Sequence, residues 1–230
     1  MPIYFEHDLV PFETSSLPSG PWLVLAPHPD DETFGMGGAI LLAKEKNIPV
    51  EVVFVTSGEK AGDPFEREKE ALQAAEVLGV QGVHFLHLPD RRVFKNLNIL
   101  IFELKKFFKQ KFKAIFAPSL QEFHPDHRAV GLAAAAVAPF FRELWLYEVA
   151  RQGEVNRLLD ISSVFQAKKK AMGCYKSQLY QNRYLEIVEA LNIARTYTLS
   201  GVTHAEGFFA TKGGILIRRY ARWLQKYFLF

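Results

Sequence analysis

The sequence predicts an α/β fold in which helices cover both faces of a mostly parallel sheet. Short apolar runs alternate along the chain with longer segments whose apolar residues recur at helical spacing, and this alternation is typical of β-α-β units. Some of the runs, such as WLVLA at 22–26, contain no polar residue, as expected for a strand that is buried on both faces.

Five strands and four intervening helices follow from this pattern. The strands are expected at 22–26, 50–57, 83–89, 114–119 and 144–149, and the helices at 37–47, 63–79, 96–110 and 127–140. The second helix has the clearest limits, because Asp63 suits its N-cap, Pro64 its first position and Gly79 its end. Two further helices are expected within 168–181 and 183–197, divided near Asn182.

No feature of the sequence marks a domain boundary. It contains no internal repeat and no low-complexity linker, and its 230 residues suit one large α/β domain. We therefore expect a Rossmann-like single domain over residues 1–230, with a basic amphipathic C-terminal tail at about 213–230.

Composition narrows the class of function. The chain has 28 Lys and Arg against 25 Asp and Glu, and this net charge of +3 is too small to indicate a nucleic-acid partner. Its single cysteine, Cys174, excludes an internal disulfide and a cysteine-based zinc site, and fits a cytoplasmic location. The N-terminal residues lack the pattern of a signal peptide, and no apolar run is long enough for a membrane span.

Two polar clusters follow predicted strands at the points where those strands end. The sequence APHPDDE at 26–32 follows the first strand, and HPDH at 124–127 follows the fourth. Each proline restricts the histidine before it, His28 or His124, to an extended backbone. Ligands of open α/β sheets bind outside the carboxyl ends of the strands, so the clusters are expected to meet at one edge. Either cluster alone is equally compatible with a polar surface loop.

Three side chains of these clusters could together hold a metal ion. His28, Asp31 and His127 form a nitrogen and oxygen set that suits Zn²⁺, and Fe²⁺ could also occupy it. Three protein ligands leave a fourth position for water, which is typical of a catalytic site.

The remaining polar residues of the clusters suggest acid–base roles. Asp30 is adjacent to a candidate ligand and is the expected proton acceptor for the attacking water. His124 could donate to the developing oxyanion or to the leaving amine. Asp126 could orient a neighbouring histidine.

The two clusters resemble the signatures of a known family. APHPDDETFGMGG looks like the AHPDDE signature of the PIG-L/LmbE family of zinc-dependent N-acetylglucosaminyl-type deacetylases, and HPDH resembles its second signature. The likeness extends from about residue 22 to 208, through TSGEKAG at 56–62, the Arg-x-x-Glu pattern from Arg67, LPD at 88–90, KKKAMGCYKSQ at 168–178 and HAEGF at 204–208.

The resemblance implies roles for individual residues. His28, Asp31 and His127 match the zinc ligands. Asp30 matches the general base, and His124, with Asp126 beside it, matches the histidine that stabilises the oxyanion or protonates the leaving group. Arg67 and Asp90 match positions that contact the sugar or the acyl product. His204 is a departure, because the family often has an aromatic residue there.

These interpretations predict a zinc-dependent hydrolase that removes the N-acetyl group from an N-acetylglucosamine-type sugar conjugate, a small-molecule substrate. One alternative keeps the metal but changes the substrate to a non-sugar amide or another acyl group.

A second alternative is a basic module that binds a membrane or a nucleic acid. It depends on the lysine-rich segment KKFFKQKFK at 105–113 and on the C-terminal tail. The tail could instead pack on its own domain or on a second copy of the chain, so a homo-oligomer is left open.

Overall fold

The computed structural model describes residues 13–107, 112–138 and 142–212. Its strands are β1 (Trp22–Ala26), β2 (Val50–Phe54), β3 (Gly82–Phe85), β4 (Ala114–Pro118), β5 (Glu143–Tyr147), β6 (Arg157–Asp160) and β7 (Ala205–Lys212). Its helices are α1 (Asp31–Glu45), α2 (Pro64–Leu78), α3 (Leu97–Phe107), α4 (Pro125–Val137), α5 (Phe165–Met172), α6 (Lys176–Leu179) and α7 (Tyr184–Ala194), with a short 3₁₀ turn at Phe94–Asn96.

The strands form one sheet in the order β3-β2-β1-β4-β5-β7-β6. The first five strands in this order are parallel, which confirms the predicted mostly parallel α/β sheet. Strand β7 is antiparallel to both β5 and β6. The sequence analysis did not predict β6 or β7.

The helices largely follow the predicted positions. Helix α2 has the expected limits: the Asp63 side chain accepts from the Glu66 N–H at 2.9 Å, and Gly79 ends the helix with a φ of 76°. Helix α1 begins at Asp31, earlier than the predicted residue 37, and is interrupted at Met36 by a non-helical φ of −146°. The predicted division near Asn182 is present, since α7 begins at Tyr184.

Helices lie on both faces of the sheet, as predicted. Alternate residues of the fully buried strand β1 point to opposite faces. Trp22 and Val24 pack in a cluster with α1, α2 and α5, whereas Leu23 and Leu25 pack in a second cluster with α3 and α4. Burial of β1 on both sides explains why its sequence contains no polar residue.

The chain changes direction across the sheet between β1 and β4. From β1 it moves outward to β2 and β3, and it then returns to place β4 on the other side of β1. Such a switch point leaves a crevice outside the carboxyl ends of the two strands. The turns that contain the two histidine clusters begin at these ends.

Of the two basic segments, the lysine-rich one is described in part and the C-terminal tail is not described. The tail at 213–230 and residues 108–111 lie outside the described residues. Within α3, Lys106 Nζ lies 2.6 Å from Glu103 Oε2 and 5.1 Å from the centre of the Phe102 ring, so this lysine makes local helix contacts. Among the described helices, none has the length and hydrophobicity needed to cross a bilayer.

Candidate active site

A cleft of about 480 Å³ opens at the carboxyl edge of the sheet. Residues from the turns after β1 and β4 line it together, as expected from the sequence. All the predicted site residues line this cleft except Asp126, which is buried. The lining also includes side chains without a predicted role, namely Phe34, Arg91, Phe123, Gln178 and Tyr184.

The turn after β1 has an unusual backbone at Asp30. Its φ of 127° lies in a region that residues other than glycine rarely adopt. The next residue fixes the turn, because the Asp31 carboxylate accepts from the His28 backbone N–H at 2.9 Å. Since strained residues persist only where the surroundings hold them, Asp30 is a candidate functional residue.

Asp31 lies between two imidazole rings. Its Oδ2 is 3.1 Å from His28 Nδ1, and its Oδ1 is 3.2 Å from His127 Nε2. Ligand atoms at about 2.0–2.1 Å from a tetrahedral zinc ion lie about 3.3 Å apart. Each of these two distances, and the nitrogen and oxygen chemistry of the donors, suits coordination of a divalent ion, with Asp31 offering a different oxygen to each ring.

The other nitrogen of His28 faces two further carboxylates. His28 Nε2 lies 3.2 Å from Asp90 Oδ1 and 3.6 Å from Asp126 Oδ2. Among the described residues, two groups have ligand atoms that all lie close enough together for one metal ion, namely His28, Asp90 and Asp126, and His28, His124 and His127; Asp31 belongs to neither.

Backbone amides already hold the carboxylates of Asp90 and Asp126. Asp126 accepts from the N–H groups of Arg91 at 2.6 Å and Val93 at 3.2 Å, and Asp90 Oδ2 accepts from Lys60 N–H at 3.0 Å. A metal-binding histidine usually directs its second ring nitrogen to such a carboxylate. Asp90 and Asp126 therefore suit the orientation of His28 better than they suit direct coordination.

His127 has a corresponding partner that the sequence analysis missed. Its Nδ1 lies 3.5 Å from Glu122 Oε2. Glu122 is only 2% exposed and accepts from the N–H groups of Val149 at 2.7 Å and Ala150 at 3.3 Å. The only sequence signal was a carboxylate five residues before His127, in the same predicted loop.

The buried charges of the site favour a cation. Burial opposes the charged form of His28, but the nearby carboxylates of Asp126, Asp31 and Asp90 raise its pKa well above the usual value. Burial likewise opposes the charge of His127, and the Asp31 carboxylate outweighs it and raises the pKa of His127 to about 9. A metal ion requires deprotonated ligands, so its binding would replace these protons with one divalent charge.

Asp30 has a protonation equilibrium near neutral pH. Burial and the neighbouring Asp31 carboxylate raise its pKa to about 8, against the opposing effect of Arg67. The Arg67 Nη2 donates to Asp30 Oδ2 at 3.1 Å and to the Pro29 carbonyl at 2.7 Å. A buried carboxylate with such a pKa suits proton transfer at neutral pH.

His124 occupies the N-cap of α4. Its Nδ1 accepts from the Asp126 N–H at 3.2 Å, so the hydrogen of the neutral ring lies on Nε2. Burial lowers the pKa of His124, and the nearby rings of His28 and His127 lower it further. His124 can therefore donate a hydrogen bond as a neutral imidazole at pH 7.

The outer part of the cleft contains an exposed aromatic side chain. Phe123 is 67% exposed and lies directly before His124. The Arg151 guanidinium carbon lies 5.3 Å from the centre of its ring. His204, where the sequence departs from the family pattern, does not line the cleft, because its ring stacks on Phe165 at a centroid distance of 3.6 Å.

Known proteins with similar sequences and structures include several deacetylases. A probable N-acetyl-alpha-D-glucosaminyl L-malate deacetylase 2 of Bacillus subtilis (strain 168) is 29% identical over 184 residues, covering 68% of this chain and 82% of that protein. The diacetylchitobiose deacetylase of Thermococcus kodakarensis is 29% identical over 222 residues, covering 80% of each. The crystal structure of a conserved protein from Thermus thermophilus superimposes with a TM-score of 0.73 at 28% identity, covering 84% of this chain and 96% of that chain.

A family model described as PIG-L, GlcNAc-PI de-N-acetylase, matches residues 23–138. This match spans about half of the chain and includes the turns after β1 and β4 that line the cleft. The chain therefore belongs to the PIG-L family of amide-hydrolysing deacetylases.

Proposed function

We propose that the protein is a metal-dependent hydrolase that removes the N-acetyl group from an N-acetylglucosamine-type sugar conjugate. One observation carries this proposal: Asp31 lies 3.1 Å and 3.2 Å from the nitrogens of two histidines, at the base of a cleft that also contains Asp30. The names of the Bacillus and Thermococcus relatives support a substrate that contains an N-acetylated glucosamine unit.

His28, Asp31 and His127 are the proposed ligands of Zn²⁺, and the same donor set suits Fe²⁺. Such an ion, when bound, polarises the amide carbonyl and makes a water molecule acidic enough to act as a nucleophile. The carboxylates of Asp90 and Glu122 would keep the two imidazoles in the orientation that coordination requires, since each lies beside the other ring nitrogen.

Asp30 is the proposed general base. Its carboxylate accepts the proton of the water that attacks the amide carbon, and Arg67 holds this carboxylate through the 3.1 Å hydrogen bond. His124 donates from Nε2 to the oxygen that becomes negatively charged. The C–N bond then breaks, and the proton held by Asp30 passes to the leaving amine, which balances the reaction as acetate plus amine.

Arg67 and Asp90 both line the cleft, so both are proposed to contact the sugar or the acyl product. Each already makes contacts within the protein, Arg67 to Asp30 and Asp90 to His28. A substrate contact at either residue would therefore also affect the orientation of a catalytic group.

The experiment is an assay of amine release from N-acetylglucosamine conjugates by the purified chain, with metal removed by chelation and then restored as Zn²⁺ or Fe²⁺. We expect release that a chelator abolishes and a metal restores. A parallel panel of non-sugar and longer acyl amides tests the substrate class. Absence of hydrolysis on the whole panel after metal loading would contradict the proposal.

His127→Ala tests the ligand set, because full metal occupancy in that variant would reject it.

A further inference from the structure

We infer that Tyr175 and Glu32 are positioning residues for Asp30: their buried hydrogen bond holds the strained backbone of the proposed base in place. This inference rests on the proposed function, since it assigns a role to two residues through a third. Neither Tyr175 nor Glu32 lines the cleft, so neither is a candidate for contact with the substrate.

The contacts run in series from Tyr175 to Asp30. The Tyr175 hydroxyl donates to Glu32 Oε1 at 2.6 Å, and Glu32 Oε2 accepts from the Asp30 backbone N–H at 3.3 Å. Thr33 also donates to Glu32 Oε1, at 2.5 Å. Each oxygen of the Glu32 carboxylate thus accepts at least one hydrogen bond. One of the donors is the backbone N–H of Asp30, the residue with a φ of 127°.

These groups are isolated from water. Glu32 is 1% exposed and Tyr175 is fully buried. Without the Tyr175 hydroxyl, Thr33 is the remaining donor to Glu32 Oε1 and no solvent replaces the lost hydrogen bond, so we expect the carboxylate to shift. Removal of the Tyr175 hydroxyl should therefore move Glu32 and release the Asp30 amide.

Besides the 2.9 Å helical hydrogen bond that its carbonyl accepts, two contacts hold the proposed base. Arg67 holds the Asp30 side chain and the Pro29 carbonyl from one side. Glu32 holds the Asp30 backbone amide from the other. Because Tyr175 lies 143 residues further along the chain than Glu32, the packing of the later helices contributes to the geometry of the turn after β1.

A simpler role for Glu32 is stabilisation of α1, since acidic residues in the first turn of a helix interact favourably with its dipole. That role predicts a loss of stability without a specific loss of turnover. The two roles are therefore distinguishable by comparing kcat with thermal stability.

Tyr175→Phe is the test, and Tyr147→Phe is its matched control. Tyr147 is also fully buried and its hydroxyl also donates one hydrogen bond, at 2.9 Å to the Leu25 carbonyl. We expect Tyr175→Phe to lower kcat about tenfold or more with KM and metal content unchanged, because small misplacement of a catalytic group strongly slows chemistry. Both variants should show similar falls in melting temperature, and Tyr147→Phe should keep its kcat.

Hydrogen–deuterium exchange of the segment 27–33 provides a second measurement that does not depend on turnover. Exchange should be faster in Tyr175→Phe than in the wild type, and unchanged in Tyr147→Phe. Unchanged exchange in Tyr175→Phe, or equal loss of kcat in both variants, would overturn the inference. A wild-type chain that hydrolyses no amide would instead contradict the proposed function, while the exchange measurement would still decide whether Tyr175 holds the turn.

Discussion

The floor and the rim of the cleft differ in exposure and in the number of contacts that hold their side chains. The floor, defined as His28, Asp30, Asp31 and His127, is at most 8% exposed. The rim, defined as Arg91, Phe123 and Tyr184, contains the 67% exposed Phe123 and an exposed Arg91.

This difference indicates that the floor and the rim have different roles. Each floor side chain has a charged partner within 3.2 Å, so the floor has the fixed geometry that proton transfer and metal coordination require. The side chains of the rim can move or be substituted without disturbing these contacts. Changes to the floor should therefore lower kcat or metal affinity, whereas changes to the rim should alter KM.

Asp30→Asn should produce the largest effect. The amide cannot accept the proton of the attacking water, so kcat should fall about 10²- to 10⁴-fold. Metal content should stay at the wild-type level, because His28, Asp31 and His127 are unchanged. Asp63→Asn is the control, since asparagine caps a helix as well as aspartate and Asp63 lies outside the cleft lining. Turnover near the wild-type value in Asp30→Asn would place the base elsewhere.

His124→Ala should lower kcat about 10²- to 10³-fold, the usual effect of losing one oxyanion donor. The pH profile tests how His124 acts. Burial lowers its pKa below 6.5, so the proposed donor, a neutral ring, is present at higher pH and is lost as pH falls through that pKa. The wild-type kcat should therefore not decline between pH 6.5 and 8. A decline in that range that disappears in His124→Asn would instead indicate a protonated His124 acting as a general acid.

Glu122→Gln should weaken metal binding about 10- to 100-fold, because it removes the carboxylate beside the second nitrogen of His127. Titration with a competing chelator measures this affinity. Glu148→Gln is the control, since Glu148 is a partly buried carboxylate that pairs with Arg195 and does not line the cleft. Equal weakening in both variants would mean that general destabilisation, and not the orientation of His127, causes the loss.

The sequence predicted the floor because its members lie in two short motifs. Two clusters at the carboxyl ends of parallel strands must meet at one edge, and β1 and β4 prove to be neighbours. Glu122 and Tyr175 could not be predicted in the same way, because their roles depend on packing. Glu122 is held by backbone amides after β5, and Tyr175 approaches Glu32 from a distant part of the chain.

Local features of the sequence explain why β6, β7 and the start of α1 are not predicted correctly. Strand β6 has only four residues, and β7, AEGFFATK, contains glycine, alanine and charged residues that are uncommon in strands. The start of α1 was placed too late because the glycines of GMGG obscure helical spacing, and the structure interrupts the helix at Met36 in that segment. The parallel strands were easier to recognise, since burial on both faces makes them continuously apolar.

Phe123→Ala should produce the smallest effect and should act on KM alone. Phe123 presents its ring at the rim with Arg151 beside it, so the C–H face of a sugar ring, or a planar group, beyond the reacting amide can stack there. Aromatic contacts of this kind contribute about 0.5–1.5 kcal/mol, which corresponds to a rise in KM of about two- to tenfold for an N-acetylglucosamine conjugate. Phe65→Ala is the control, since Phe65 is 82% exposed outside the cleft lining. A fall in kcat with an unchanged KM would contradict the division between floor and rim, because it would mean that Phe123 affects the adjacent His124 and not the bound substrate.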